Sequence, residues 1–113
     1  MKPRFQSVSL YQAFGLMYNI ILTRQAVKDA QKLEQAGYKP KTVNLLRIIQ
    51  QNPFQNPPPY EKLQGYENTY SRRITIQHRL VYQLLPNEND EKDVSHVPYQ
   101  GIVKIIRMWT HYE

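Results

Sequence analysis

The sequence predicts an α+β fold: a small antiparallel sheet with two N-terminal helices packed on one face. Three observations lead there. A short β-rich run, Tyr18 to Leu22, is followed at once by residues with helical spacing. A second helical stretch then stops at a proline-rich connector. From Tyr70 onward the pattern turns back to β-rich runs. The order strand, helix, helix, strand, strand, strand places both helices on one side of a sheet and leaves its other face open unless a partner covers it.

Each element follows from its residues. Residues 1–16 read as an N-terminal extension, a flexible or loosely docked arm, ahead of a tidier domain over 17–113 that Met17 opens. The arm lacks the clean apolar run and small-residue cleavage site of a signal peptide. Tyr18 to Leu22 forms the first strand, and Thr23 is an N-cap for the helix that follows. Ala26, Val27, Ala30 and Leu33 give that helix an apolar stripe, with Lys28, Asp29, Lys32 and Glu34 outside. Gly37 stops it. Pro40 suits the first turn of a second helix, whose apolar face is Val43, Leu45, Leu46, Ile48 and Ile49, and Pro53 ends it. The segment NPFQNPPPY, 52–60, is an extended connector. YSRRITI and HRLVYQLL are two strands with Gln77 and His78 near their turn. Asn87 to Val97 is a long exposed loop, and Gly101 to Trp109 is the last strand.

Composition removes whole classes of function. A chain of 113 residues has the length of one domain with one modest core. Cysteine is absent, which excludes disulfides, thiolate zinc sites and cysteine nucleophiles. His78, His96 and His111 lie too far apart for ligand spacing, so no metal and no cofactor is expected. No glycine-rich phosphate loop and no membrane-length apolar run occurs. Fifteen Lys and Arg against nine Asp and Glu give a formal charge of +6, which favours an acidic partner.

The polar residues leave two readings open. Arg72, Arg73, Arg79 and Arg107 all fall in the strand-rich half. Arginine matches phosphate oxygens, so a cluster on the uncovered face would make a phosphate site; salt bridges on a solvated face explain the same residues equally well. In the YSRRITI run, Ile74 and Ile76 are expected on one face, with Arg73 and Thr75 on the other. Glu61, after the prolines, and His111, beside Tyr112 after the last strand, would make a workable base and acid for RNA cleavage. Their spacing alone does not bring them together.

Segment 70–82, YSRRITIQHRLVY, resembles the central motif of the YoeB/Txe family of toxins in the RelE-like superfamily. The tail WTHY is similar to the family's terminal His-Tyr, and NPF at 52–54 and the Glu61 to Leu63 stretch are also family-like. The resemblance covers residues 17–113. It implies a RelE-like/YoeB-like fold and a cytoplasmic, ribosome-dependent mRNA endoribonuclease, the toxin of a type II toxin–antitoxin pair. The implied cut is made in the ribosomal A site without a metal and leaves a 2',3'-cyclic phosphate or 3'-phosphate and a 5'-hydroxyl.

The resemblance also implies roles. Glu61 would be the general base, His111 the general acid, and Arg79 the group that stabilises the phosphorane. Arg73 would help to hold phosphate, and Tyr112 would shape the substrate position. Arg72, Lys62, Gln64, Tyr70 and Arg107 are assigned to substrate binding. Tyr70 stands where the family has Trp, keeping an aromatic wall, and Gln64 stands where it often has Lys. The implied partners are the ribosome and mRNA, a cognate antitoxin, a second copy in a homodimer, and operator DNA reached only through the toxin–antitoxin complex. Two alternatives stand beside this one: a catalytically weakened homologue that acts through antitoxin binding and operator co-repression, supported by Gln64, and a basic RNA- or ribosome-binding module without chemistry.

Overall fold

A computed structural model describes residues 17–110. The N-terminal extension 1–16 and His111, Tyr112 and Glu113 lie outside the described residues. The elements are β1 (Tyr18–Leu22), α1 (Arg24–Gln35), α2 (Lys39–Gln51), β2 (Tyr60–Lys62), β3 (Thr69–Arg73), β4 (Arg79–Leu85) and β5 (Gly101–Thr110). The strands form one sheet in the order β1-β5-β4-β3-β2. The α+β class and the two helices on one face are as expected. The sheet itself is mixed, because β1 runs parallel to β5 while every other pair is antiparallel. A parallel pair needs a long crossover, and the helices and meander between the first and last strands supply it.

Local chemistry sets the helix ends. Thr23 Oγ1 accepts the Ala26 N–H at 3.0 Å, capping α1. Gly37 follows α1 at φ +87°, a left-handed conformation that suits glycine. Pro40 lies in the first turn of α2, where its missing N–H costs nothing. Ala26 and Leu33 of α1 and Leu45 and Ile49 of α2 pack on Leu80, Tyr82, Val103, Ile105 and Met108 of the sheet. Gly101 sits where a side chain would collide: a Cβ there would come within 3.0 Å of the Tyr18 ring and 3.2 Å of the Leu85 carbonyl.

The expected stripe on α1 is corrected at two positions. Val27 is exposed and Asp29 is wholly buried. The reason is an unpaired sheet edge. β1 ends opposite Ile105, so from Ile106 onward β5 has no strand on its β1 side, while β4 still pairs on the other. Thr23 Oγ1 donates to the Ile106 carbonyl at 2.9 Å, and Asp29 Oδ2 accepts the Met108 N–H at 2.9 Å and Arg107 Nε at 2.9 Å. Side chains of α1 thus take the place of a missing strand. Burial pushes the Asp29 carboxyl up, but the Met108 N–H, the hydrogen bonds from Gln25 and Arg107, and the Arg107 charge outweigh it and hold it below its usual range.

β3 is shorter than its β-rich residues suggest. It ends at Arg73, and 74–77 form a turn. Thr75 Oγ1 accepts the N–H groups of Gln77 and His78, each at 3.1 Å, and the His78 carbonyl accepts the Ile74 N–H at 2.8 Å. Ile74 is therefore buried while Ile76 is 87% exposed, and the two do not share a strand face. His78 is buried with its ring stacked on Trp109. The end of the proline connector adds β2, an unexpected strand, to the sheet edge. The Asn87–Val97 segment is largely exposed, as expected.

Candidate active site

The site begins with strand register. Glu61 is the middle residue of β2 and lies opposite Ser71, while Arg73 lies opposite Arg79. Side chains alternate along strands, so Glu61, Ser71, Arg73 and Arg79 all stand on the face away from the helices. Arg79 Nε donates to Ser71 Oγ at 2.7 Å, and Arg79 Nη2 donates to Glu61 Oε1 at 2.8 Å. The Arg79 side chain is only 16% exposed, whereas that of Glu61 is 71% exposed. The arginine is thus fixed by neighbours, and the carboxylate it orients remains open to a substrate.

Glu61, Arg73 and Arg79 line a cleft of about 570 Å³, together with Lys41, the prolines 58 and 59, and the 74–76 turn. One carboxylate faces three cations there, Lys41, Arg73 and Arg79. Among the described residues, Arg73 and Lys41 make no ion pair, so their charge is available to an anion. Such a cleft suits phosphate: a fixed guanidinium supplies paired donors, and a neighbouring carboxylate can accept a proton. Thr110, the last described residue of β5, pairs with Arg79, so the strand that leads to His111 ends beside the site.

No family model matches the sequence, and no curated protein matches it. Solved structures do. A YoeB/ParE toxin from Agrobacterium tumefaciens superposes with a TM-score of 0.66 at 24% identity, over 83% of this chain and 99% of that one. The YoeB dimer from Staphylococcus aureus gives 0.60 at 28% identity, over 84% and 98%. The YoeB–YefM complex from Staphylococcus aureus also gives 0.60, at 29% identity over 84% and 98%. The chain has the fold of the YoeB/RelE-like toxins, and its likeness to the YoeB structures supports a place in that family. The fold extends to more distant relatives: the archaeal RelE–RelB complex from Pyrococcus horikoshii matches at 0.57 with 20% identity.

Within this YoeB/RelE-like fold the residues foreseen from sequence divide. Glu61, Arg73 and Arg79 share the cleft. His111 and Tyr112 lie outside the described residues. Arg72 is corrected: it points to the helix side and is wholly buried. Its Nη1 donates to the Pro58 carbonyl at 2.6 Å, its Nη2 to the Pro53 carbonyl at 2.8 Å and its Nε to Tyr82 Oη at 3.1 Å. Tyr70 is corrected likewise. It lies opposite Tyr82 on the helix side, in ring contact with Phe54, Tyr60 and Tyr82, and builds no wall of the cleft. Lys62, opposite Tyr70, and Gln64, in the β2–β3 turn, are exposed but do not line the cleft. Arg107 is held by Asp29 and borders a separate groove of about 320 Å³ with Leu63, Tyr66 and Val81.

Sequence reasoning missed Lys41. Its position in the first turn of α2 carries no motif, and only the packing of that turn beside 74–76 brings it to the cleft. Among the described residues no group of three His, Asp or Glu could hold a metal ion. No described helix is long and apolar enough to cross a membrane.

Proposed function

We propose that this chain is the toxin of a type II toxin–antitoxin pair and cleaves mRNA on the ribosome. The observation that carries the reading is the 2.8 Å contact between Glu61 and a seated Arg79 in a cleft that Arg73 also lines. Glu61 takes the proton from the 2'-hydroxyl, and the freed oxygen attacks the adjacent phosphorus. Arg79 and Arg73 balance the charge that grows on the non-bridging oxygens, often the largest contribution to such catalysis. The P–O5' bond breaks, and His111, next in the chain after the residue paired with Arg79, protonates the departing oxygen. The products are a 2',3'-cyclic phosphate, or a 3'-phosphate after hydrolysis, and a 5'-hydroxyl.

The ribosome supplies substrate orientation, a contribution worth several powers of ten. The cognate antitoxin covers the cleft with a segment that folds on binding; the complexed relatives support such a partner, and the YoeB dimer supports a homodimer. Operator DNA is reached through the toxin–antitoxin complex, and the setting is cytoplasmic. Gln64, the sequence support for a weakened homologue, lies off the cleft and gives that alternative no purchase on the site. Programmed ribosomes provide the test. Wild-type protein should cut mRNA in the A site and leave 5'-hydroxyl ends, and Glu61→Gln should not. Wild-type protein that binds ribosomes without cutting would reject the enzyme reading.

A further inference from the structure

The cleft does not end at Arg73. Its wall continues along the 74–76 turn to the start of α2, where a smaller hollow of about 320 Å³ shares Lys41, Thr75 and Ile76 with it. Lys41 therefore stands at the junction of the two. It is exposed, and among the described residues it has no carboxylate partner, whereas Lys39 two residues before it pairs with Glu34 at 3.5 Å. Ile76 adds apolar surface at the same rim, 87% exposed.

We propose that Lys41 is a substrate-binding residue that contacts the backbone phosphate neighbouring the scissile one. This rests on the ribonuclease reading of the cleft. Single-stranded RNA carries one negative charge per nucleotide, so a strand whose scissile phosphate sits at Arg79 and Arg73 must place further phosphates along the cleft wall. Among the described residues, Lys41 is the unpaired cation on the wall toward α2. A flexible ammonium on a solvated helix turn suits a backbone contact without base preference. An acidic protein segment would meet the same charge, but the larger hollow that Lys41 lines also holds the Glu61–Arg79 pair, where the proposed chemistry requires a phosphodiester.

Two measurements test this. The first is cleavage on programmed ribosomes by wild type, Lys41→Ala and Lys41→Arg. Lys41→Ala should raise KM about tenfold with kcat little changed, as expected for one lost charge-assisted contact, and Lys41→Arg should restore most of it. The second is binding of a short single-stranded oligoribonucleotide to Glu61→Gln protein over a salt series. Adding Lys41→Ala should lower affinity and reduce the slope of log affinity against log salt by about 0.7, the loss of one phosphate contact. Lys28→Ala, which removes a charge from α1 outside the cleft, should change neither value. Wild-type KM and slope in Lys41→Ala, or an effect confined to antitoxin binding, overturns the proposal. Absence of cleavage by wild type, with oligonucleotide binding still dependent on Lys41, rejects the ribonuclease reading and keeps the phosphate contact.

Discussion

Glu61 and Arg79 share one ion pair but differ in surroundings, and the difference separates stability from activity. An ion pair with one exposed partner contributes little to folding, so Glu61→Gln should change unfolding free energy by less than about 1 kcal/mol. On the proposed mechanism cleavage should fall about 10²- to 10⁴-fold, the range for a lost general base; urea denaturation and single-turnover cleavage check the two halves. Asp29 behaves in the opposite way. Asp29→Asn removes a buried charge from beneath Arg107 and should cost about 2 to 3 kcal/mol at pH 7, discounted for the partly exposed arginine. The Asp29 carboxyl titrates lower when folded than when unfolded. Its stabilisation is therefore complete above about pH 4, and declines as pH falls toward the folded value. The gap between wild type and Asp29→Asn should narrow in acid, as denaturation at pH 7 and pH 3 would reveal. The family resemblance pointed to Glu61, Arg73 and Arg79, and the fold brings the three to one cleft. The resemblance could not expose the burial of Asp29, which depends on β1 stopping short of the end of β5.

The elements with local signals were the ones read well. β1, the Thr23 cap, the Gly37 stop and Pro40 each act within a few residues, and the structure places them as expected. β2 and the early end of β3 were not legible. Three residues become a strand only because β3 lies beside them, and Thr75 turns the chain by bonding N–H groups that a longer strand would have needed. Thr23 joins two elements at once, capping α1 and bonding the Ile106 carbonyl on the free edge of β5. Thr23→Ala should therefore cost about 1 to 2 kcal/mol, the upper part of the range for a lost cap. Hydrogen exchange should show the added opening at the α1 start and at 106–108. Equal protection at 106–108 in variant and wild type would disprove the link between the two.

Across the whole molecule, the formal charge of +6 says less than its distribution. Arg107 and Lys39 are tied to Asp29 and Glu34, and Arg72 is enclosed, while Lys41, Arg73 and Arg79 face one cleft. The sequence gathers arginines in its strand-rich half; the parity of each strand decides which of them face the cleft. That parity was not readable for Arg72, because the connector 53–58 that covers it folds back from a distant part of the chain.

Arg72 and Arg73, neighbours on β3, should consequently fail by different routes when replaced. Arg72→Met strips two proline carbonyls of a charged donor and should destabilise by about 3 kcal/mol or more. On the proposed toxin reading, cells making it would survive because little folded protein accumulates. Arg73→Met should change stability by no more than about 0.5 kcal/mol, and its cells would survive with the protein abundant, folded and inert. A growth screen scores both as harmless, and immunoblotting of the soluble fraction tells them apart. A harmless variant sought as an immunogen or as bait for the antitoxin belongs at position 73; one residue earlier, the same screen selects for a protein that the cell has already degraded.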